Sequence, residues 1–252
     1  MKIKSIFLML LISFTLSNCG GEKEKITLQL KLAKGNTYKI TKETDASSGK
    51  IMKYKNLNEL KFRVDSIGSE NQYYMTIKIL RIKEEMDMYG EKEFYDSSKN
   101  VDRMNRGELA SHRENLPFLE ADFKVVVGMN GEVIEKLSTN AYLPYDEQIV
   151  EMVNYQIPYP NEPISVGSKW EQEGVNVLLD KKYKEIFTLS KIEENKVTIT
   201  VKREQEGIKG LLDELVSTGE FVIDRSNGLI IHGTMTMPLH TGGKAKYTVR
   251  RS

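Results

Sequence analysis

The sequence predicts a mainly β protein, built as one large curved antiparallel sheet or open half-barrel with one to three short helices. Two observations carry this prediction. Apolar and polar residues alternate with period two in many segments, for example at residues 26–32 and 75–79, which is typical of strands with one buried face. Turn-forming residues, such as those at 68–71, separate these segments.

The individual elements follow from the same signals. Alternation predicts strands at 26–32, 38–40, 60–65, 75–79 and 244–250, and hairpins at 123–136, 185–202 and 220–237. Helix signals are fewer. Residues 105–116 are polar and fit a short helix or a loop, 144–155 have apolar residues at helical spacing with a proline at the start, and 208–216 form a third short candidate.

A proline-rich connector divides the chain. Residues 157–163 hold three of the six prolines and predict a stiff, extended stretch. On each side of it, a glycine is followed three places later by an aromatic residue, as Gly35 with Tyr38 and as Gly167 with Trp170. A duplicated half-sheet and chance recurrence both explain this echo. The predicted organisation is a single β-rich domain over 26–252, with candidate halves 26–157 and 164–252.

The N-terminus has the layout of a lipoprotein signal peptide over residues 1–18. Two lysines precede an apolar run from Ile6 to Leu16, which is too short to span a membrane. Leu16-Ser17-Asn18-Cys19 resembles the bacterial lipobox, in which the cysteine receives the lipid. Cys19 is the only cysteine of the chain, so we predict lipidation there and expect no intrachain disulfide. Residues 19–25 are glycine-rich and charged, which predicts a flexible tether.

Charge and motif content exclude several classes of function. The formal net charge is +1, with both signs interspersed, so we expect no nucleic-acid partner. The sequence has no nucleophile elbow, zinc-protease, phosphate-loop, dinucleotide or paired-cysteine motif. Asp96, Ser97 and Ser98 are expected to form a turn or cap. We therefore predict no catalytic residue, no cofactor and no enzymatic activity.

Each group of candidate ligand-binding side chains can be interpreted as a binding site or as part of the fold. Two Met-x-Met motifs, at 86–88 and 235–237, would place both sulfurs on one strand face, as a Cu(I) site near His240 or as part of an apolar core. His112 and His232 are expected to be surface residues rather than zinc ligands. Aromatic residues could stack on a sugar or pack a helix onto the sheet. These are Trp170, Tyr142, Tyr145, Tyr155 and Tyr159.

The sequence as a whole resembles a family of uncharacterised Gram-negative lipoproteins. The similarity rests on the lipobox and on four short motifs. The motifs are Lys34-Gly35-Asn36-Thr37-Tyr38, Tyr95-Asp96-Ser97, Val166-Gly167-Ser168-Lys169-Trp170, and 219–224 with Asn227-Gly228-Leu229. The strand pattern is also similar to periplasmic lipoprotein carriers, which wrap an unclosed barrel around a lipid-sized cavity. The resemblance implies an envelope location and no particular activity.

These features together predict an exported, lipid-anchored protein of the cell envelope. The outer membrane is the expected membrane, with either its periplasmic or its surface-facing side. Its partners would be the membrane, through the lipid on Cys19, and a hydrophobic ligand or an envelope protein. A ligand carrier would need an apolar cavity lined by residues such as Met75, Ile77, Met235 and Met237. The alternative is a structural or assembly accessory with a filled core and an exposed apolar patch.

Overall fold

The computed structural model describes residues 24–49, 51–69, 72–137, 156–176, 181–207, 214–239 and 243–252. The signal peptide, Cys19 and the helix predicted at 144–155 lie outside these residues. The described chain confirms the mainly β prediction, since its strands form one antiparallel sheet that is not closed. The strands are β1 (Thr37–Ser48), β2 (Met52–Ile67), β3 (Tyr73–Met88), β4 (Glu91–Asp96), β5 (Asp122–Val127), β6 (Val133–Leu137), β7 (Lys169–Asn176), β8 (Lys181–Ile192), β9 (Lys196–Glu206), β10 (Glu214–Asp224), β11 (Ile230–Pro238) and β12 (Lys244–Arg251).

The strand order places two meanders side by side. Across the sheet the order is β6-β5-β3-β2-β1-β12-β11-β10-β9-β8-β7, and β4 pairs with β3 outside this path. All pairings are antiparallel. The strand predicted at 244–250 therefore lies in the middle, where β12 joins the two meanders by pairing with β1 and with β11.

The helical content differs in part from the expectation. The polar stretch at 105–116 is a helix, α1 (Arg106–Glu120), preceded by a 3-10 turn at Val101–Arg103. The helix predicted at 208–216 is wrong for its described part, because Leu215 and Val216 belong to β10 and pair with Gln205 and Glu204 of β9. Pairing along a long neighbouring strand overrides the weak helical spacing of such a short segment.

The N-terminal segment, residues 26–32, is extended but does not join the sheet as a strand. Its apolar residues are buried in alternation, as the sequence predicts. However, its one β-bridge joins Ile26 to Ile164. The backbone groups of Leu30, Lys31 and Leu32 bond to turns and to the Tyr73 hydroxyl instead of to a neighbouring strand. The buried residues are Ile26, Leu28, Leu30 and Leu32.

The contacts of this segment show that the sheet curls. The Leu30 N–H donates to the Met129 carbonyl in the β5–β6 turn, and the Lys31 N–H donates to the Asn227 carbonyl in the β10–β11 turn. Six strand spacings separate these turns in the sheet order, which is about 29 Å on a flat sheet. Consecutive residues lie only about 3.8 Å apart. The sheet must therefore wrap around the segment.

The face that points toward this segment, which we call the inner face, supplies the core. It carries Tyr38 and Phe62, which are directly opposite on β1 and β2, together with Ile40 of β1 and Val249 of β12. Their side chains form one buried cluster with the leucines of the N-terminal segment. Along much of the sheet only one face is buried, which produces the period-two pattern in the sequence. β3, β5, β9 and β10 also bury residues on the other face, such as Thr76, Val126, Thr198 and Val222.

The echo between the two halves of the sequence is visible in the backbone. The Gly35 N–H donates to the Val64 carbonyl, and the Gly167 N–H donates to the Leu189 carbonyl, at 2.8 Å in both cases. Gly35 and Gly167 both adopt positive φ, at 85° and 94°, where glycine is favoured. The same turn thus starts β1 and β7.

The aromatic residue that follows each turn stacks on a phenylalanine of the neighbouring strand in both halves. Tyr38 stacks on Phe62 with ring centroids 5.7 Å apart, and Trp170 stacks on Phe187 at 5.5 Å. Each pair is directly opposite in the strand register. This repetition favours two related half-sheets over chance recurrence, while the boundaries 26–157 and 164–252 stay a prediction.

Gly228 gives a test of how much the N-terminal segment contributes to stability. A Cβ at Gly228 would lie 2.3 Å from the Gln29 carbonyl oxygen, whereas a Cβ at Gly35 would meet open space, and both glycines have positive φ. We expect Gly35→Ala to lower the free energy of unfolding by about 1–2 kcal/mol through backbone strain. Gly228→Ala should lose about 1–3 kcal/mol more because the segment must shift. Urea unfolding measures both, and equal losses would contradict this role of the segment.

Candidate functional site

The inner face changes from apolar to polar along its strands. On β1 the inward position after Ile40 is Lys42, and on β2 the inward neighbour of Leu60 is Asn58. Lys42 and Asn58 are cross-strand partners, and both are buried. Burying polar groups costs free energy unless they are satisfied, so such a cluster is a candidate site. We call this region the polar half of the inner face, and it includes Lys42, Thr44, Tyr54, Asn56, Asn58, Glu84, Glu185, Arg203, Gln205, Ser217 and Tyr247.

A ladder of hydrogen bonds runs across β2 and β3. The Asn58 amide donates to Oδ1 of Asn56, and the Asn56 amide donates to Oε1 of Glu84 at 3.2 Å. Tyr54 also hydrogen-bonds to Glu84. Oδ1 of Asn58 accepts no hydrogen bond, although only 8% of the residue is exposed. The ladder therefore ends in an unpaired acceptor at its buried end.

Glu84 is the perturbed acid of this ladder. Burial is the main cause that raises its pKa, and the carboxylate of Glu114 adds to the increase, while the hydrogen bonds from Asn56 and Tyr54 oppose it. Burial and the charge of Glu84 raise the pKa of Tyr54 to about 12. The site thus holds a carboxylate whose charge its surroundings stabilise poorly.

Glu84 lies in a cleft between the β3–β4 hairpin and α1. The cleft has a volume of about 430 Å³, within the usual range for small-molecule sites. β2, β3 and β4 supply its sheet side, and α1 supplies the opposite wall. The lining residues are Tyr54, Glu84, Met86, Lys92, Glu93, Phe94, Tyr95, Asn105, Gly107, Glu108, Ala110, Ser111 and Glu114.

Polar contacts cap α1 and link it to β4 and to the segment that follows β4. Asn105 and Glu108 form a capping box at the helix N-terminus. Nζ of Lys99 contacts both carboxylate oxygens of Glu108 at 2.7 Å. Further along α1, Nδ1 of His112 lies 3.1 Å from the hydroxyl of Tyr95, a buried residue of β4. The first two contacts fix the start of the helix, and the third joins its middle to β4.

A bidentate ion pair fixes β4 beside β3. Nε and Nη2 of Arg81 bind the two carboxylate oxygens of Asp96 at 3.0 and 2.6 Å, and Nη1 contacts Glu59 at 3.3 Å. The hydrogen bond from Arg81 is the main cause that holds the pKa of Asp96 well below its usual range. Asp96 also accepts from the backbone N–H of Ser98 at 3.0 Å, which confirms the predicted turn.

A second cleft lies in the other meander, at the ends of β7, β8 and β9. It has a volume of about 720 Å³. Beside it, Nε of Arg203 donates to Glu185 at 2.8 Å, and the Arg203 guanidinium lies 4.4 Å from the ring centre of Tyr183. Burial raises the pKa of Tyr247 nearby. Here each charged inward group has a partner of opposite charge, in contrast to Glu84.

The residues proposed to line an apolar cavity are part of the core. Met75, Ile77 and Met235 are buried in the same cluster as the N-terminal leucines, and Met237 is partly buried against it. This corrects the expected cavity at these residues, because the chain fills the space with its own side chains. Met235 and Met237 do share the inner face, as the spacing predicts, whereas Met86 lines the cleft near α1.

The other predicted ligand-binding residues take structural or separate positions. Nε1 of Trp170 donates to the Pro158 carbonyl at 2.7 Å, and the Tyr159 hydroxyl donates to the Gly228 carbonyl at 2.7 Å, so both rings pack within the fold. His232 is exposed on β11. His240, Tyr142, Tyr145 and Tyr155 lie outside the described residues, as does Cys19. Among the described residues, no group of three or more His, Cys, Asp or Glu side chains is placed to hold a metal ion.

Comparison with known proteins identifies no relative of this chain. No family model, no curated protein and no solved structure matches this chain. The assignment of a site therefore rests on the geometry of the chain itself.

Sequence reasoning missed the cleft, although a signal was present. On β2 the apolar alternation that includes Leu60 and Phe62 is interrupted by polar residues at the inward positions Asn58 and Asn56. The same interruption occurs on β3 at Glu84. Polar residues in the inward phase of a long strand mark the point where the core ends.

Replacing Glu84 tests whether its partly buried charge costs stability. Gln can keep the hydrogen bonds with Asn56 and Tyr54 but carries no charge. Because the raised pKa means that the folded state binds the proton more tightly, stability falls as pH rises from the unfolded pKa through the folded pKa. We therefore expect Glu84→Gln to raise the melting temperature by a few degrees near neutral pH, at about 2–4 °C per kcal/mol.

The matched control is Glu85→Gln on the opposite face, where Glu85 pairs with Lys83 at 2.6 Å. Its pKa is lowered, chiefly by the hydrogen bond from Lys83, so this variant should gain nothing at neutral pH. Below about pH 4 both carboxylates are largely protonated in the unfolded chain, and the gain from Glu84→Gln should disappear. A pH-independent gain would contradict the assignment.

Proposed function

We propose that the protein is an exported, lipid-anchored cell-envelope protein that binds a ligand, without catalysis, in the cleft between the β3–β4 hairpin and α1. The observation that carries the binding proposal is the poorly compensated carboxylate of Glu84 inside a cleft of small-molecule size. Proteins retain such costly groups where function needs them. The lipobox at Cys19 supports the envelope location.

The position of the N-terminal segment supports a defined orientation on the membrane. Glu24 forms an ion pair with Arg225 in the β10–β11 turn, at the end of the sheet where β1 begins. Glu24 is five residue steps from Cys19, a reach of about 18 Å at most. The lipid would thus hold this end near the bilayer. The cleft is near the opposite end of β3, eleven residues from Tyr73, about 36 Å along the strand.

The ligand is proposed to be polar at least in part. The apolar half of the inner face is filled by the N-terminal segment, and both clefts described above are lined by charged and aromatic residues. A hydrophobic cargo would need the N-terminal segment to leave the core. Among the described residues, no helix is long and apolar enough to cross a membrane.

A structural or assembly accessory is the alternative, favoured by one surface feature. At the tips of the β1–β2 and β3–β4 hairpins, Ile51, Met88 and Tyr89 are exposed, Tyr89 by 77%. The Tyr89 N–H donates to the Ile51 carbonyl at 2.9 Å, and Tyr89 has a positive φ of 53°. A non-glycine residue in this conformation is uncommon. An accessory protein would use this tip to contact an envelope partner.

Lipidation is tested by replacing Cys19. Cys19→Ala should abolish labelling by radioactive palmitate and leave a precursor that keeps residues 1–18, because the acyl acceptor is lost. Asn18→Ala is the control, since a small residue suits the lipobox and processing should persist. Mass spectrometry of the purified chains measures both. Palmitate labelling of Cys19→Ala would contradict the proposed anchor.

Ligand binding is tested by native mass spectrometry of the acylated chain extracted from its host in mild detergent. We expect a stoichiometric extra mass that is lost on denaturation. Ala110→Trp should remove this mass by filling the cleft, since Ala110 lines it. Arg113→Trp, at an exposed position of α1 that is not part of the lining, should keep it. A bare chain mass in the unmodified protein would contradict binding and favour the accessory role.

A further inference from the structure

We propose that the cleft between the β3–β4 hairpin and α1 binds a small organic cation through its ammonium group, with Glu84 as the counter-ion. The inference rests on the proposed function, because it takes the cleft to be the ligand site and specifies the chemistry of the ligand. Three features of the lining carry it: the balance of charge, the supply of hydrogen-bond acceptors, and the aromatic walls.

The charge of the lining favours a cation. Four glutamates and one lysine line the cleft, and one of the glutamates, Glu108, is already paired with Lys99 at 2.7 Å. The other three acids, Glu84, Glu93 and Glu114, share the lining with one ammonium, that of Lys92; Glu93, Glu114 and Lys92 are exposed, and Glu84 is partly buried. Like charges in a partly enclosed space repel one another and concentrate counter-ions. A bound cation would relieve this repulsion, whereas an anion would increase it.

The hydrogen-bonding capacity of the ladder is complementary to a donor. Its free positions are acceptors: the Glu84 carboxylate, which lines the cleft, and Oδ1 of Asn58, which is buried and accepts no bond. Asn58 does not itself line the cleft; it is linked to it through Asn56, which accepts from the Asn58 amide and donates to Glu84. Lys42, the cross-strand neighbour of Asn58, is buried and has an interaction of its own. An ammonium supplies three N–H donors and no acceptor.

The aromatic residues make the site suited to an organic cation. Tyr54 and Tyr95 line the cleft, and the faces of such rings attract ammonium groups. Phe94 also lines it, and Nζ of Lys83 lies 5.4 Å from the centre of its ring. The volume of about 430 Å³ leaves space for a carbon skeleton beside the charged group. Because the described residues include no cluster of three metal ligands from His, Cys, Asp and Glu, a bare metal ion is the less suitable occupant.

The protonation behaviour of Glu84 agrees with this geometry. The groups that act on it are Tyr54 and Asn56 from β2 and Glu114 from α1, with Tyr95 opposite it on β4. None of them is a cation. Burial keeps the pKa of Glu84 raised, so an ammonium at this position would lower the pKa and stabilise the ionised carboxylate.

The test is calorimetric titration of the full acylated chain in detergent with benzylamine, and with benzyl alcohol as its neutral counterpart. We expect benzylamine to bind in one-to-one stoichiometry and benzyl alcohol to bind at least about tenfold more weakly, since it lacks the charge. Glu84→Gln should weaken benzylamine by at least about tenfold. Glu85→Gln, which removes a carboxylate from the outer face next to Glu84, should leave the affinity unchanged.

Equal affinity for benzylamine and benzyl alcohol would overturn the cation proposal, as would unchanged binding to Glu84→Gln. Displacement of benzylamine by Mg²⁺ at equal concentration would assign the site to a metal ion and also overturn it. These outcomes are separate from failure of the proposed function. If the host-extracted protein carries a neutral or anionic ligand that Ala110→Trp removes, the cleft is a binding site and only the cation inference fails.

Discussion

The fold depends on how the sheet buries its inner face. An open sheet of this size has no second layer of strands, and the N-terminal segment occupies the place that a second layer would take. Ile26, Leu28, Leu30 and Leu32 are all buried. At about 1.5–3 kcal/mol for each fully buried side chain of this size, they contribute about 6–12 kcal/mol. This is comparable to the net stability of a typical domain, so the curled sheet and its segment are interdependent.

The candidate site follows from where that segment ends. Its apolar residues cover one half of the inner face, and beyond them the inward positions become polar at the row of Lys42 and Asn58. α1 packs over this region from the β3–β4 side and turns an otherwise open polar surface into a cleft. The change from apolar to polar inward residues thus separates the apolar half of the inner face, which stabilises the fold, from the polar half, where the charge of Glu84 is poorly compensated.

Much of the architecture was predictable, because strand alternation depends only on which face is buried. The hairpins and most strands follow from it, and the repeated glycine turns follow from the positive φ that Gly35 and Gly167 adopt. The position of residues 26–32 outside the sheet was not predictable. An extended segment enclosed by a curled sheet has the same burial period as a strand that belongs to the sheet. The cleft was also missed, because the proximity of Glu84 to Glu114 arises from packing between a hairpin and a helix 30 residues further along the chain. Local patterns carry no information on such a distance.

The central place of β12 has a consequence for how the chain reaches this structure. β1 is the first strand in the sequence and β12 follows all the others, yet they are neighbours, with Ile40 opposite Arg251. Until β12 is present, each meander exposes an unpaired strand edge, and the contact that joins them spans about 200 residues. Folding with such a long sequence separation is slow and completes late. The protein is therefore suited to a route in which the whole polypeptide is delivered before it folds. While the sheet is incomplete, its open strand edges need protection from pairing with other chains.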